Sequence, residues 1–272
     1  EICSLIIKKI IPKEDKKSCS WVEVVAKGDA QPCSYFCSHN WGECFRDFMV
    51  SVEAHAREKG VGLEETYWVC VYANNQHNVE LGKTLDASPF YQALKGAQAT
   101  LLMLDKTAEA LLRLWCVFEL NETLLTLGHK LELWTPLGKV GSGLVSSGPV
   151  VQALRRIDTC HAKATDDVDQ RQILNHIAKV GEVEGINVKQ DGTKELVEHP
   201  DEYKKGRYES ELIMKHRIEF EDLNSAIISS VQSAIEEPKH RKEGGRGPCN
   251  DRGLNFKTKL ERRCVVNDGR MR

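Results

Sequence analysis

The chain has 272 residues, with 38 basic and 40 acidic side chains and a formal charge of −2. Apolar residues are 41% and charged residues 29%, a globular balance that excludes collagen-like and wholly disordered classes. No apolar run approaches the ~20 residues of a membrane-spanning helix, and the length suits one generous domain or one domain with attachments.

The opening EICSLIIKKIIPKEDKK places its charges after the apolar stretch and has no small-residue cleavage site, so no secretory leader is expected. The first residue is not Met, the expectation for a piece of a longer chain. The ten cysteines sit largely inside apolar segments, as at Cys37, Cys70 and Cys116, which is the habit of reduced thiols in a cytoplasmic protein. Cys33, Cys37, His39 and Cys44 cluster within a dozen residues, but there is no CxxC pair and alternate members of a strand point to opposite faces. No metal is expected.

Residues 1–30 read as an N-terminal segment ahead of an alternating region. SYFCS (34–38) is a β-prone run, and a helix over 43–59 has one apolar face carrying Phe45, Phe48, Met49, Val52 and Ala56. Gly60 and Gly62 end it. YWVCVYA (67–73) predicts a second strand, followed by a polar loop over 74–88. Pro89 opens a short helix through Ala97, at the first-turn position proline favours. ATLLMLD (99–105) is a third strand, a long helix is expected over 108–127 with Gly128 as its stop, and HKLELWT (129–135) is a fourth strand.

Strands alternating with helices predict an α/β fold, a parallel sheet covered on both faces. Residues 138–149 read as a Gly/Ser loop and 155–164 as a candidate fifth strand. A helix around Ile173, Leu174, Ile177 and Val180 comes next, then a polar stretch and a long amphipathic helix over 203–236. This gives an α/β domain over 31–160, an α-rich extension of it over 161–236 and a tail over 237–272. That tail holds eleven Lys/Arg against five Asp/Glu, a net of +6, which leaves −8 on residues 1–236. It reads as disordered. No nucleic-acid motif accompanies it, and nucleic acid is not expected as a partner.

The most informative segment is LRLWCVFEL (112–120). Its helix is apolar on nearly every face, so Glu119, one turn beyond Trp115, is an anomaly. A carboxylate in such surroundings must be paired (Arg113 is the nearest cation in sequence), protonated, or open to a cleft. Ser38, His39, Asn40 and Trp41 leave the first strand, and Asn74, Asn75, Gln76 and His77 leave the second. Ligands of open α/β sheets bind at those carboxyl ends. Trp41 could stack on a ring there or simply cover the sheet end. Asp105 is placed to cap the following helix. His77 has no visible partner, and Cys116 has apolar neighbours that should raise its pKa, so neither is expected in catalysis.

Trp115-Cys116-x-x-Glu119-Leu120 resembles the WCxxEL motif of TIR (Toll/interleukin-1 receptor) domains, especially plant-type ones. Over residues 31–136 the surroundings follow the same order: Phe36-Cys37-Ser38-His39 resembles the first strand and its serine-aromatic exit, and 74–88 the family's BB loop. The SHxW, ANNQ, SPF and WCxxE strings are similar to those of a TIR-related group in algae and protists.

The resemblance implies a flavodoxin-like fold. It also implies one of two activities: cleavage of NAD at the nicotinamide N-glycosidic bond through Glu119, or a catalytically silent module that self-associates in signalling with other domains of a longer protein. A related N-ribosyl hydrolase or transferase acting on another nucleotide is a third reading. Under the first, NAD or a related nucleotide is substrate rather than cofactor, Glu119 is catalytic, and Ser38, His39, Asn40, Trp41, Asn74, Asn75 and Trp115 line the site. Where plant-type sequences carry a serine and an arginine, this chain has Arg113 and Asn40, leaving Lys83 or Arg113 to supply a cation for phosphate.

Overall fold

Four short apolar runs form parallel strands, and the order in which they pair sets the position of the site. The computed structural model of the protein describes residues 2–14, 18–26, 31–79, 81–142, 148–197 and 203–236. The basic tail and its Cys249 and Cys264 lie outside the described residues, as do 143–147 of the Gly/Ser segment.

In chain order, a π-helical turn (Cys3–Ile7) runs into α1 (Lys8–Ile10), and α2 (Trp21–Ala26) precedes the first strand. The core then comprises β1 (Tyr35–Ser38), α3 (Phe45–Lys59), β2 (Tyr67–Trp68), α4 (Cys70–Ala73), α5 (Pro89–Gly96), β3 (Ala99–Met103), α6 (Leu114–Asn121), β4 (Lys130–Thr135) and β5 (Gly138–Lys139). Beyond it come α7 (Gly148–Leu154), α8 (Asp167–Ile177), β6 (Ile186–Val188), β7 (Lys194–Leu196), α9 (Arg207–Lys215) and α10 (Arg217–Glu236).

The sheet order is β2-β1-β3-β4-β5, parallel except for the β4–β5 edge hairpin. This is the flavodoxin-like doubly wound order, which reverses between β1 and β3.

Alternation along the strands divides the core. Cys37, Leu101, Met103 and Trp134 pack on one face with Phe48 of α3. Leu102 and Leu133 face the other way, into a cluster with Leu114, Phe118, Ile173, Phe220, Leu223 and Ile227. Phe36 shares that second face with Leu94 of α5. The extension is therefore part of the sheet's second layer.

Several expected elements differ. The second strand stops at Trp68, because the chain turns into the short helix α4 at Cys70. The expected helix over 108–127 is three pieces. A 3-10 turn (Glu109–Leu112) follows Ala108, whose φ is 54°. Arg113 is then extended (φ −93°, ψ 125°), and α6 runs into a π-helical turn (Glu122–Thr126). Residues 155–164 form no strand but a 3-10 turn (Thr159–His161), with a single parallel bridge between Arg113 and Lys163.

That bridge explains the break. Leu114 N donates to Lys163 O and Lys163 N to Leu112 O, so the backbone at Arg113 pairs across the chain instead of within a helix. The Gly/Ser segment contributes β5, the polar stretch of the extension holds the β6–β7 hairpin, and the last helix is divided at His216.

Candidate active site

A cavity of about 400 Å³ opens at the carboxyl ends of β1 and β2, beside the point where the strand order reverses. Its wall includes His39, Trp41, Cys70, Asn74, Gln76, Phe90, Arg113, Trp115, Cys116, Glu119 and Asp169. The volume falls in the lower part of the range of small-molecule sites.

Glu119 is 5% exposed, and its Oε2 has no hydrogen-bond partner. Of the alternatives open to it, pairing with Arg113 does not occur; that guanidinium donates to Thr165 Oγ1 at 2.9 Å. Burial pushes the Glu119 carboxyl up to about 7, against smaller opposing effects from Ser38 and the charge of His39. Ser38 is fully buried behind the cavity, and its Oγ lies close enough to favour the charged carboxylate without reaching full hydrogen-bond geometry. Near neutral pH the carboxyl is thus divided between its two protonation states, facing space rather than a partner.

The break at Arg113 directs this arrangement, because α6 restarts there and carries Trp115, Cys116 and Glu119 to the cavity. The indole N–H of Trp115 donates to Asp169 Oδ2 at 3.1 Å. Its ring stacks on Phe90 with centroids 4.8 Å apart. Trp41, 58% exposed, also lines the cavity and donates its indole N–H to Cys70 Sγ at 2.9 Å. His39 is held between Glu43 Oε1, 3.0 Å from Nδ1, and Cys70 Sγ, 3.7 Å from Nε2. Burial presses the His39 pKa down, but hydrogen bonds and charge at Cys70 and Glu43 outweigh it and raise it to about 10, which favours a proton on the ring when those partners are charged.

Of the residues expected at the site, His39, Trp41, Asn74, Trp115 and Glu119 line this cavity, and Ser38 stands behind it. Asn40 and Asn75 do not line it. The Asn40 side chain accepts from Gly42 N in its own turn, on a neighbouring pocket bounded by Trp41 and Phe45. Asn75 Oδ1 accepts from His77 N and Ser18 Oγ, which shapes the loop and ties it to the N-terminal segment. Lys83 lines a separate pocket with Asp166 and Asp169, so of those two cations Arg113 is the one on this wall.

His77 lies 2.8 Å from Ile11 O, a tether rather than a base, and Cys116 donates to His39 O at 3.5 Å. Asp105 Oδ1 accepts from Thr107 N and Glu109 N, capping the 3-10 turn. Among the described residues no group of three or more His, Cys, Asp or Glu is placed to hold a metal, and no helix is long and apolar enough to cross a membrane.

Sequence reasoning missed Cys70, Glu43 and Asp169. Glu43 is four residues from His39, a spacing that could have flagged it. Asp169 reaches Trp115 from 54 residues away, and no local pattern announces such a contact. Compared with known proteins, the chain matches no family model, no curated protein and no solved structure.

Proposed function

We propose that the protein hydrolyses the N-glycosidic bond between nicotinamide and ribose in NAD or a closely related nucleotide, in the manner of the TIR domains its WCxxE string resembles. The observation that carries this reading is the Glu119 carboxylate, 5% exposed and with its Oε2 unpartnered, on the wall of a cavity at the carboxyl ends of the strands.

The chemistry needs little more. As the C–N bond breaks, its electron pair returns to the cationic pyridinium nitrogen, so nicotinamide leaves neutral without a general acid. Positive charge grows on the ribose, and a carboxylate held in low dielectric stabilises it more than water would. Water then captures the ribosyl cation and releases a proton. The Trp115–Phe90 stack and Trp41 offer aromatic walls to a base, and Arg113 suits a phosphate at the rim. The eight described cysteines are free thiols, which fits a reducing, cytoplasmic compartment.

The test is nicotinamide release from NAD by the purified chain at high protein concentration, beside Glu119→Gln. Release by the wild type and loss by roughly 10²-fold or more in the variant is expected, the scale of removing one well-placed electrostatic group. If neither protein releases nicotinamide, even when self-associated, the hydrolase reading falls and a silent self-associating signalling module takes its place. Equal release by both would remove Glu119 from the chemistry.

A further inference from the structure

Three cysteines, Cys37, Cys70 and Cys116, share the wall of the Glu119 cavity, and all three are at most 6% exposed. Their surroundings differ. Burial pushes Cys37 and Cys116 well above the ordinary thiol range, and Cys116 spends its proton on the carbonyl of His39. Both are shielded, neutral thiols.

Cys70 alone of the three faces a base and an N–H donor. His39 Nε2 is 3.7 Å from its sulfur and the Trp41 indole N–H points at it from 2.9 Å. The far nitrogen of the same imidazole is held at 3.0 Å by Glu43, whose side chain is 6% exposed. Thiol, imidazole and carboxylate thus stand in the order that activates a nucleophile: the base touches the thiol, and a third group fixes the base. The Glu119 carboxylate, 5% exposed and with Oε2 unpartnered, lines the same cavity and offers a second polar group to a molecule that enters it.

We infer that Cys70 is a nucleophile activated by His39, Glu43 and Trp41, and that it is a site of covalent modification by small soft electrophiles, α,β-unsaturated carbonyl compounds above all, that enter this cavity. The thiol proton passes to His39 Nε2. The sulfur then attacks the β carbon of the electrophile, forming the S–C bond as the C=C π pair shifts onto the α carbon. That carbon takes the proton back from His39 Nε2, and the product is a neutral thioether with no oxidant consumed. The adduct fills the space in front of Glu119. The inference concerns the thiol and stands or falls apart from NAD hydrolysis.

The probe is acrylamide, added to the full folded chain, with the modified cysteines located by peptide mass over time. In the wild type Cys70 is expected to react more than roughly tenfold faster than Cys37 and Cys116, which share its cavity and burial but lack a base. His39→Gln should bring Cys70 down to their rate, and Glu43→Gln should slow it by a smaller factor. Trp41→Phe, which removes only the indole donor, supplies a variant that keeps the wall filled if the His39 change unfolds the chain. Labelling of Cys70 no faster than Cys37 and Cys116 in the wild type overturns the inference without recourse to any variant. So does a Cys70 rate unchanged in both folded His39→Gln and Trp41→Phe proteins.

Discussion

Glu119 concentrates the energetic cost of the site in one side chain. Its carboxyl titrates at about 7 in the fold against 4.5 for an ordinary glutamate, because burial penalises the charged form more than Ser38 and His39 favour it. A raised pKa means that the folded state holds the proton more tightly. The contribution to stability is complete below 4.5 and is lost as pH rises through about 7. Above that, the folded chain carries a buried charge at a cost of about 3 kcal/mol.

Glu119→Gln removes the charge while keeping the shape, so it should stabilise the protein by about 1–3 kcal/mol at pH 8 and by little at pH 4, a difference read from urea midpoints at the two values. Equal midpoints at pH 8 would mean that the carboxylate has found a partner. The same titration governs activity on the hydrolase reading. The ionised form is the competent one, so kcat/KM should climb with pH until about 7 and then level.

Elements hold the site open by polar links as much as by apolar packing. Glu122, 1% exposed at the end of α6, accepts from His176 Nε2 at 2.7 Å. The other ring nitrogen meets Glu182 at 2.8 Å, and Glu182 in turn accepts from Leu85 N at 2.7 Å, in the loop beyond Leu81 of the cavity wall. Burial lowers the His176 pKa, but the two glutamates outweigh it and hold it at about 9. This contribution is complete below the ordinary 6.5 and fades as pH rises through about 9. His176→Ala should cost about 2–3 kcal/mol at pH 7, since it leaves the buried Glu122 carboxylate with no cation and only the Asn121 amide as a side-chain donor. The gap from wild type should narrow at pH 10, and a gap that persists there would assign the loss to packing.

This linkage also marks the limit of what the sequence made legible. The apolar runs at 34–38, 99–105 and 129–135 become β1, β3 and β4 because their burial is decided locally, by period and composition. Tyr67 and Trp68 pair as expected, but Cys70 turns away into α4 and so brings its sulfur to His39. Arg113 leaves the helical path because Lys163, fifty residues on, offers its backbone a partner. Glu119 was visible as an anomaly from its apolar neighbours alone. The partner that Arg113 takes was not, because Thr165 arrives from the extension.

At the scale of the whole molecule, the question is whether the extension folds with the sheet or beside it. Residues 1–238 form one compact unit, and Phe220, Leu223, Ile227 and Val231 of α10 are fully buried in the same cluster as Leu102 of β3 and Leu133 of β4. A buried cation reinforces the join within the extension. Arg171 on α8 has no exposed surface. It donates from Nε and Nη2 to Glu209 Oε1 at 3.0 and 2.7 Å, gives Nη1 to Gly185 O, and lies 4.6 Å over the ring of Tyr208.

Arg171→Met keeps the volume but strands Glu209, 8% exposed, and should cost about 3–5 kcal/mol, the usual result of breaking a buried pair from one side. A shared core predicts that this loss lowers the stability of the entire unit. All five tryptophans lie between residues 21 and 134, so fluorescence reports the sheet, whereas far-UV circular dichroism is weighted toward helices that include α8, α9 and α10. In urea the two signals should shift to lower midpoints together and remain superimposed in Arg171→Met. A dichroism transition that moves alone would show that α8 to α10 unfold as a separate unit. The wall that Asp169 lends to the Glu119 cavity would then come from a detachable element.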